Sequence, residues 1–149
     1  MKYYFIAGEA SGDLHGANLI AALKEKDATS EFRAFGGDKM QNQGAHIVKH
    51  YKYLAFMGFW EVAKNLKKIL SYINFCKKDI KAFKPDALIL IDYPGFNMRI
   101  AKWATALEIQ VHYYIMPQVW AWKENRVRKL AKYTNYRYAI LPFEVDFFK

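Results

Sequence analysis

Apolar residues recur along this chain in two alternating rhythms. Strand-like segments stand at 3–7, 31–35, 45–49, 87–91, 110–115 and 138–141, and the unbroken apolar run at 87–91 reads as a buried strand. The segments between them repeat their apolar residues every three or four positions. Leu14, Ala17, Ala21 and Ala22 lie near one face of a helix over 14–26. A short helix is expected at 38–43, and a long one over 61–83, where Val62, Leu66, Ile69, Ile73, Ile80 and Phe83 share a stripe. Two more are expected at 96–107 and 124–132. Strands alternating with helices predict an α/β fold: a doubly wound, mainly parallel, Rossmann-like sheet with helices on both faces.

The punctuation between rhythms carries the candidate chemistry. Asp92 directly follows the run Ala87-Leu88-Ile89-Leu90-Ile91, and Pro94-Gly95 then breaks the strand ahead of a helix. A carboxylate at the carboxyl end of a central strand stands at the edge where open α/β sheets bind ligands, and a rigid strand end suits a general base. A turn or helix-cap aspartate is an equally good reading of that position taken alone. The first strand runs into Gly8-Glu9-Ala10-Ser11-Gly12-Asp13-Leu14-His15-Gly16, a glycine turn whose backbone amides suit an anion or a hydroxyl-rich ligand. Ser11 or Asp13 could equally be its helix cap. Its spacing is not G-x-G-x-x-G, and Phe35-Gly36-Gly37 stands where a ribose-binding acid would close the second strand. A nicotinamide cofactor, and with it an oxidoreductase, is therefore not expected. No metal is expected either: His46 and His50 straddle a strand and its exit without a companion cluster, and His15 and His112 are isolated.

Composition narrows the setting. The 149 residues suffice for one domain with a sizeable core, at 53% hydrophobic and 17% aromatic content. The single cysteine, Cys76, precludes an internal disulfide and fits a reducing compartment. No signal peptide is visible, and no apolar run approaches the roughly 20 residues that span a bilayer. A net charge of +9 favours anions, whether nucleic acid, acidic lipid or phosphorylated substrate. One stretch bears on that choice. Phe56, Met57, Phe59 and Trp60 precede a helix with Lys64, Lys67, Lys68, Lys77, Lys78, Lys81 and Lys84 on its polar side. Aromatic side chains beside a basic face suit an anionic membrane surface, while a core segment with a solvated lysine face explains the same pattern. Trp120 and Trp122, in the loop after the fifth strand, could line a pocket or pack against a second domain, and Arg126 in the following helix could pair with phosphate.

The segments from Gly8 to Gly16, Phe35-Gly36-Gly37 with Met40, Met57-Gly58-Phe59-Trp60-Glu61-Val62, Asp92-Tyr93-Pro94-Gly95-Phe96-Asn97, Pro117-Gln118-Val119-Trp120-Ala121-Trp122 and Leu141-Pro142-Phe143-Glu144 occur here in one order. Together they resemble the lipid-A-disaccharide synthase family of glycosyltransferases, over nearly the whole chain. Two positions depart from the expected pattern: Gly95 stands where some relatives carry a second acid, and Gln118 where a small residue such as serine is expected.

The resemblance implies a GT-B architecture of two Rossmann-like domains facing a cleft. Residues 1–149 would form the N-terminal, acceptor-side domain, with the C-terminal donor-binding domain absent from this chain. The implied reaction transfers diacylglucosamine from its UDP donor to an acylated glucosamine phosphate acceptor, giving the lipid A disaccharide and UDP with inversion and no cofactor. The fragment alone would be inactive. The implied setting is cytoplasmic, peripheral to the inner membrane of a Gram-negative bacterium, with an anionic membrane surface and no nucleic acid as partner. Asp92 would be the base, Ser11, Gly12, Asp13 and Asn97 the cleft floor, and Trp120, Trp122 and Arg126 the far rim. A noncatalytic lipid- or nucleotide-binding module would use the same basic surface without needing Asp92.

Overall fold

A computed structural model of the chain describes residues 1–54, 65–115 and 124–138, with Glu124 and Arg126 as backbone only. Along the chain run β1 (Lys2–Ala7), α1 (Ala10–Lys26), β2 (Glu31–Gly36), α2 (Asp38–Asn42), β3 (His46–His50) and a 3-10 turn (Tyr51–Tyr53). Then come α3 (Leu66–Phe83), β4 (Ala87–Ile91), α4 (Pro94–Ala106), β5 (Gln110–Ile115), α5 (Glu124–Lys132) and β6 (Tyr136–Arg137). All the described strands are parallel, in the order β3-β2-β1-β4-β5-β6. This is the doubly wound order whose direction reverses between β1 and β4.

The expected elements are present, with shifted ends. α1 begins at Ala10 rather than at 14, because the glycine turn is itself wound into the helix. α4 begins at Pro94, whose fixed φ and missing N–H suit a first helical turn. A sixth strand is described at Tyr136–Arg137, pairing His112 and Tyr113 of β5, while all of the expected 138–141 but Tyr138 lies outside the described residues. The long helix is described from Leu66, and the expected start at 61 lies outside the described residues.

Strand side chains alternate between two cores, as the pleat requires. Tyr4, Ile6, Leu88, Leu90 and Tyr113 face α3 and α4, where Ile69, Ile73, Cys76, Ile80, Phe96 and Ile100 meet them. Phe5, Ala7, Ile89 and Ile91 face α1 and α2, against Ala17, Ile20 and Met40. Every residue of β4 is buried, the mark of a central parallel strand. A polar cluster ties α3 to the sheet: Asp79 accepts from Arg33 Nε at 2.8 Å and Nη2 at 2.6 Å, and from the Tyr4 hydroxyl at 2.7 Å. Burial alone would raise the Asp79 carboxyl, but these donors outweigh it and hold its pKa below the ordinary value. Beside them the Cys76 thiol is buried, and desolvation pushes its pKa far above the usual range.

Candidate functional site at the switch point

The parallel register pairs Ala7 with Ile91, so the chain leaves β1 and β4 side by side. Gly8-Glu9 and Asp92-Tyr93 therefore emerge together at the topological switch point, where a doubly wound sheet opens a crevice. Gly8 is needed for a packing reason: a Cβ there would lie 2.6 Å from the Tyr93 ring, which also stacks on Phe96 at 5.5 Å. Burial pushes the Tyr93 hydroxyl up to about 12.

Asp92 and Tyr93 both have left-handed backbones, with φ of 45° and 53°. Residues other than glycine pay roughly 1–3 kcal/mol each for such conformations, so something must hold them. The Asp92 N–H donates to the Ile115 carbonyl at 2.8 Å. A register shift opposite Leu90 and Ile91 brings Ile115, rather than Tyr114, beside Ile91. The Asp92 carbonyl accepts from two side chains, Tyr113 Oη at 2.7 Å and Asn97 Nδ2 at 2.7 Å. Desolvation, reinforced by the Asp92 charge, keeps the Tyr113 phenol protonated and so a permanent donor.

The Asp92 carboxyl itself is half-buried. Burial is the larger reason its pKa is raised, and the negative charge of Glu9 adds to it; the Tyr93 backbone amide opposes both. A carboxylate shifted upward is a stronger base, better matched to proton abstraction near neutrality.

The other expected site residues divide by depth. Ser11 is exposed, and its hydroxyl donates to Glu9 Oε1 at 3.1 Å, placing it at the mouth with the acids. Gly12, Asp13 and Asn97, expected at the cleft floor, are all buried. Gly12 lets α1 lie close on β1, since a Cβ would stand 2.9 Å from that of Ala7. Asp13 does not cap its own helix. It reaches across to α2 and accepts from the amides of Gly37, Lys39 and Met40 at 2.9, 3.0 and 3.1 Å. Lys67 and Lys68 are exposed on α3. Phe56, Met57, Phe59, Trp60, Lys64, Trp120 and Trp122 lie outside the described residues, as does the Arg126 side chain.

Glu9 and Tyr113 were not singled out by the sequence. Glu9 could have been, since it follows β1 as Asp92 follows β4; only the pairing of those strands makes them neighbours. Among the described residues no group of three potential metal ligands forms. An apolar cavity of about 260 Å³ lined by Tyr3, Leu19, Leu23, Ile89, His112 and Tyr114 includes Met1 and Gln110 at the amino ends of their strands. It therefore lies toward the edge of the sheet opposite Asp92.

Fold and site together define a Rossmann-like α/β domain with an acid at its switch point. A solved structure of UDP-GlcNAc 2-epimerase from Neisseria meningitidis bound to UDP-GlcNAc shares this fold, with a TM-score of 0.57 over 93% of this chain and 40% of that one, at 15% identity. A sequence profile of the lipid-A-disaccharide synthetase family matches residues 3–149. The lipid-A-disaccharide synthase of Trichlorobacter lovleyi is 41% identical over 148 residues, which is 99% of this chain and 39% of that protein. That of Geobacter metallireducens is 42% identical over 148 residues, covering 99% and 38%. The chain belongs to the lipid-A-disaccharide synthase family, and it spans under two fifths of the length of these relatives.

Proposed function

We propose that this chain is the acceptor-side domain of an inverting glycosyltransferase that builds the lipid A disaccharide. Asp92 takes the proton from the acceptor sugar hydroxyl. The freed oxygen attacks the anomeric carbon of the UDP-linked diacylglucosamine, and UDP departs with the electrons of the broken bond. The observation that carries this reading is the Asp92 carboxyl itself: at the switch point, half-buried, and shifted toward a stronger base. Glu9 and Ser11 stand at the same mouth, available to acceptor hydroxyls. The donor nucleotide is assigned to a second domain beyond this chain.

The acylated substrates call for a membrane surface. Support comes from α3, where Leu66 and Leu70 are exposed beside Lys67 and Lys78. No helix of the described residues is long and apolar enough to cross a membrane.

The test is a full-length synthase carrying this domain, assayed with both lipid substrates. Asp92→Asn should keep its fold and lose about 100-fold or more in kcat, the scale of a general base. Near-normal turnover by that variant would remove Asp92 from the chemistry. The 149-residue chain alone should form no disaccharide.

A further inference from the structure

We infer that Tyr113 and Asn97 are positioning residues for Asp92, acting as a two-donor clamp on its backbone carbonyl; this rests on the reading of Asp92 as the base.

The clamp follows from what a left-handed aspartate needs. At φ 45° the Asp92 backbone sits in a region that residues with a Cβ leave readily. Its N–H is tied to Ile115, and its carbonyl receives the phenol of β5 and the amide of α4, each at 2.7 Å. Rotation toward an ordinary extended backbone would swing that carbonyl off both donors. Tyr113 and Asn97 are fully buried, so neither has water to turn to. Asn97 Nδ2 retains only the longer contact with the Ile91 carbonyl at 3.3 Å, and one with Ile6 at 3.5 Å. Once φ and ψ of Asp92 are fixed, the direction of its Cα–Cβ bond is fixed, which restricts the carboxylate to the few positions its rotamers allow. The donors come from two different elements, so the aim is set by the packing of β5 and α4 rather than by the turn alone. Neither side chain reaches the cleft, which distinguishes them from groups that would touch substrate.

The experiment is a double-mutant cycle in the full-length synthase. Tyr113→Phe keeps the ring and removes one donor. It should lower kcat about 10- to 100-fold with KM within twofold of wild type, the signature of a misplaced group rather than of lost binding. Combined with Asp92→Asn it should cause no further loss, because the clamp acts only through Asp92. Assays run well below the variant's melting temperature separate aim from stability. Wild-type kcat in Tyr113→Phe, a rise in KM alone, or an equal extra loss in the Asp92→Asn background would each overturn the clamp. If Tyr113→Phe does not fold, Asn97→Ser reads the same cycle, and failure of both to fold would show that the pair holds the fold rather than the carboxylate. Should Asp92→Asn itself turn over normally, it is the base assignment that fails, not merely the clamp.

Discussion

Asp13 Oδ1 accepts the amide of Gly37 at 2.9 Å, joining the first glycine turn to the second across the sheet edge. A side chain at Gly37 would collide with Tyr51 and with this carboxylate. One buried anion thus satisfies the first amides of α2, a helix of 5 residues whose own N-cap, Gly37, offers no side chain. Asp13→Ala should destabilise by about 3 kcal/mol, the scale for bonds to a charged group plus stranded buried donors. Chemical denaturation measures it. A variant of unchanged stability but raised KM would return Asp13 to the substrate.

Asp92→Asn should be at least as stable as wild type at pH 7. The folded-state pKa of Asp92 is raised, so its ionised form is the one that folding disfavours. That penalty exists above the raised pKa and disappears as pH falls through it. Melting curves at pH 7 should show the variant level with or above the parent, and a large drop would mean that the carboxylate supports the fold.

Glu9→Gln should move the acid limb of the pH–rate profile to lower pH. The charge of Glu9 is the second cause raising Asp92, after burial, so removing it lets the pKa fall part of the way toward 3.8. The burial contribution remains. A limb that stays in place would show that the two acids do not sense each other.

Asp79→Asn should cost roughly 1.5–3 kcal/mol at neutral pH, since its bonds to Arg33 and Tyr4 are charge-assisted. The folded pKa is depressed, so this stability is present above about 3.8 and is lost as pH falls through the lower folded value. Urea denaturation of both proteins should therefore converge in strong acid. Parallel curves down to the lowest pH would contradict this.

The full-length protein should co-sediment with anionic liposomes and release as salt rises, each lysine near the surface contributing about 1 kcal/mol. Leu66→Ser with Leu70→Ser should weaken what persists in salt, since both are exposed and removing them leaves the core intact. Equal sedimentation of neutral and anionic vesicles would argue against this face of α3.

The fold was legible because β4 is apolar throughout and α3 keeps its stripe: burial on both faces, or on one, writes itself into sequence as a run or a period. Asp92 was legible for the same reason, as the first polar residue after a buried run. The depth of its neighbours was not. The resemblance implied Asp13 and Asn97 at the cleft floor, yet both side chains are turned inward to backbone groups of other elements, which only the folded domain brings within reach. Glu9 and Tyr113 depend on β1 and β5 flanking β4, and such adjacency belongs to the topology rather than to any local window.

Cys76 gives the molecule a built-in clock. It is the only thiol among 149 residues, it lies at the seam between α3 and the sheet, and its environment suppresses the thiolate that alkylating reagents need. Reagent can reach it only when that seam parts. The labelling rate of the unmodified chain then reports how often the layer that carries Asp79 stands open, needing no engineered site.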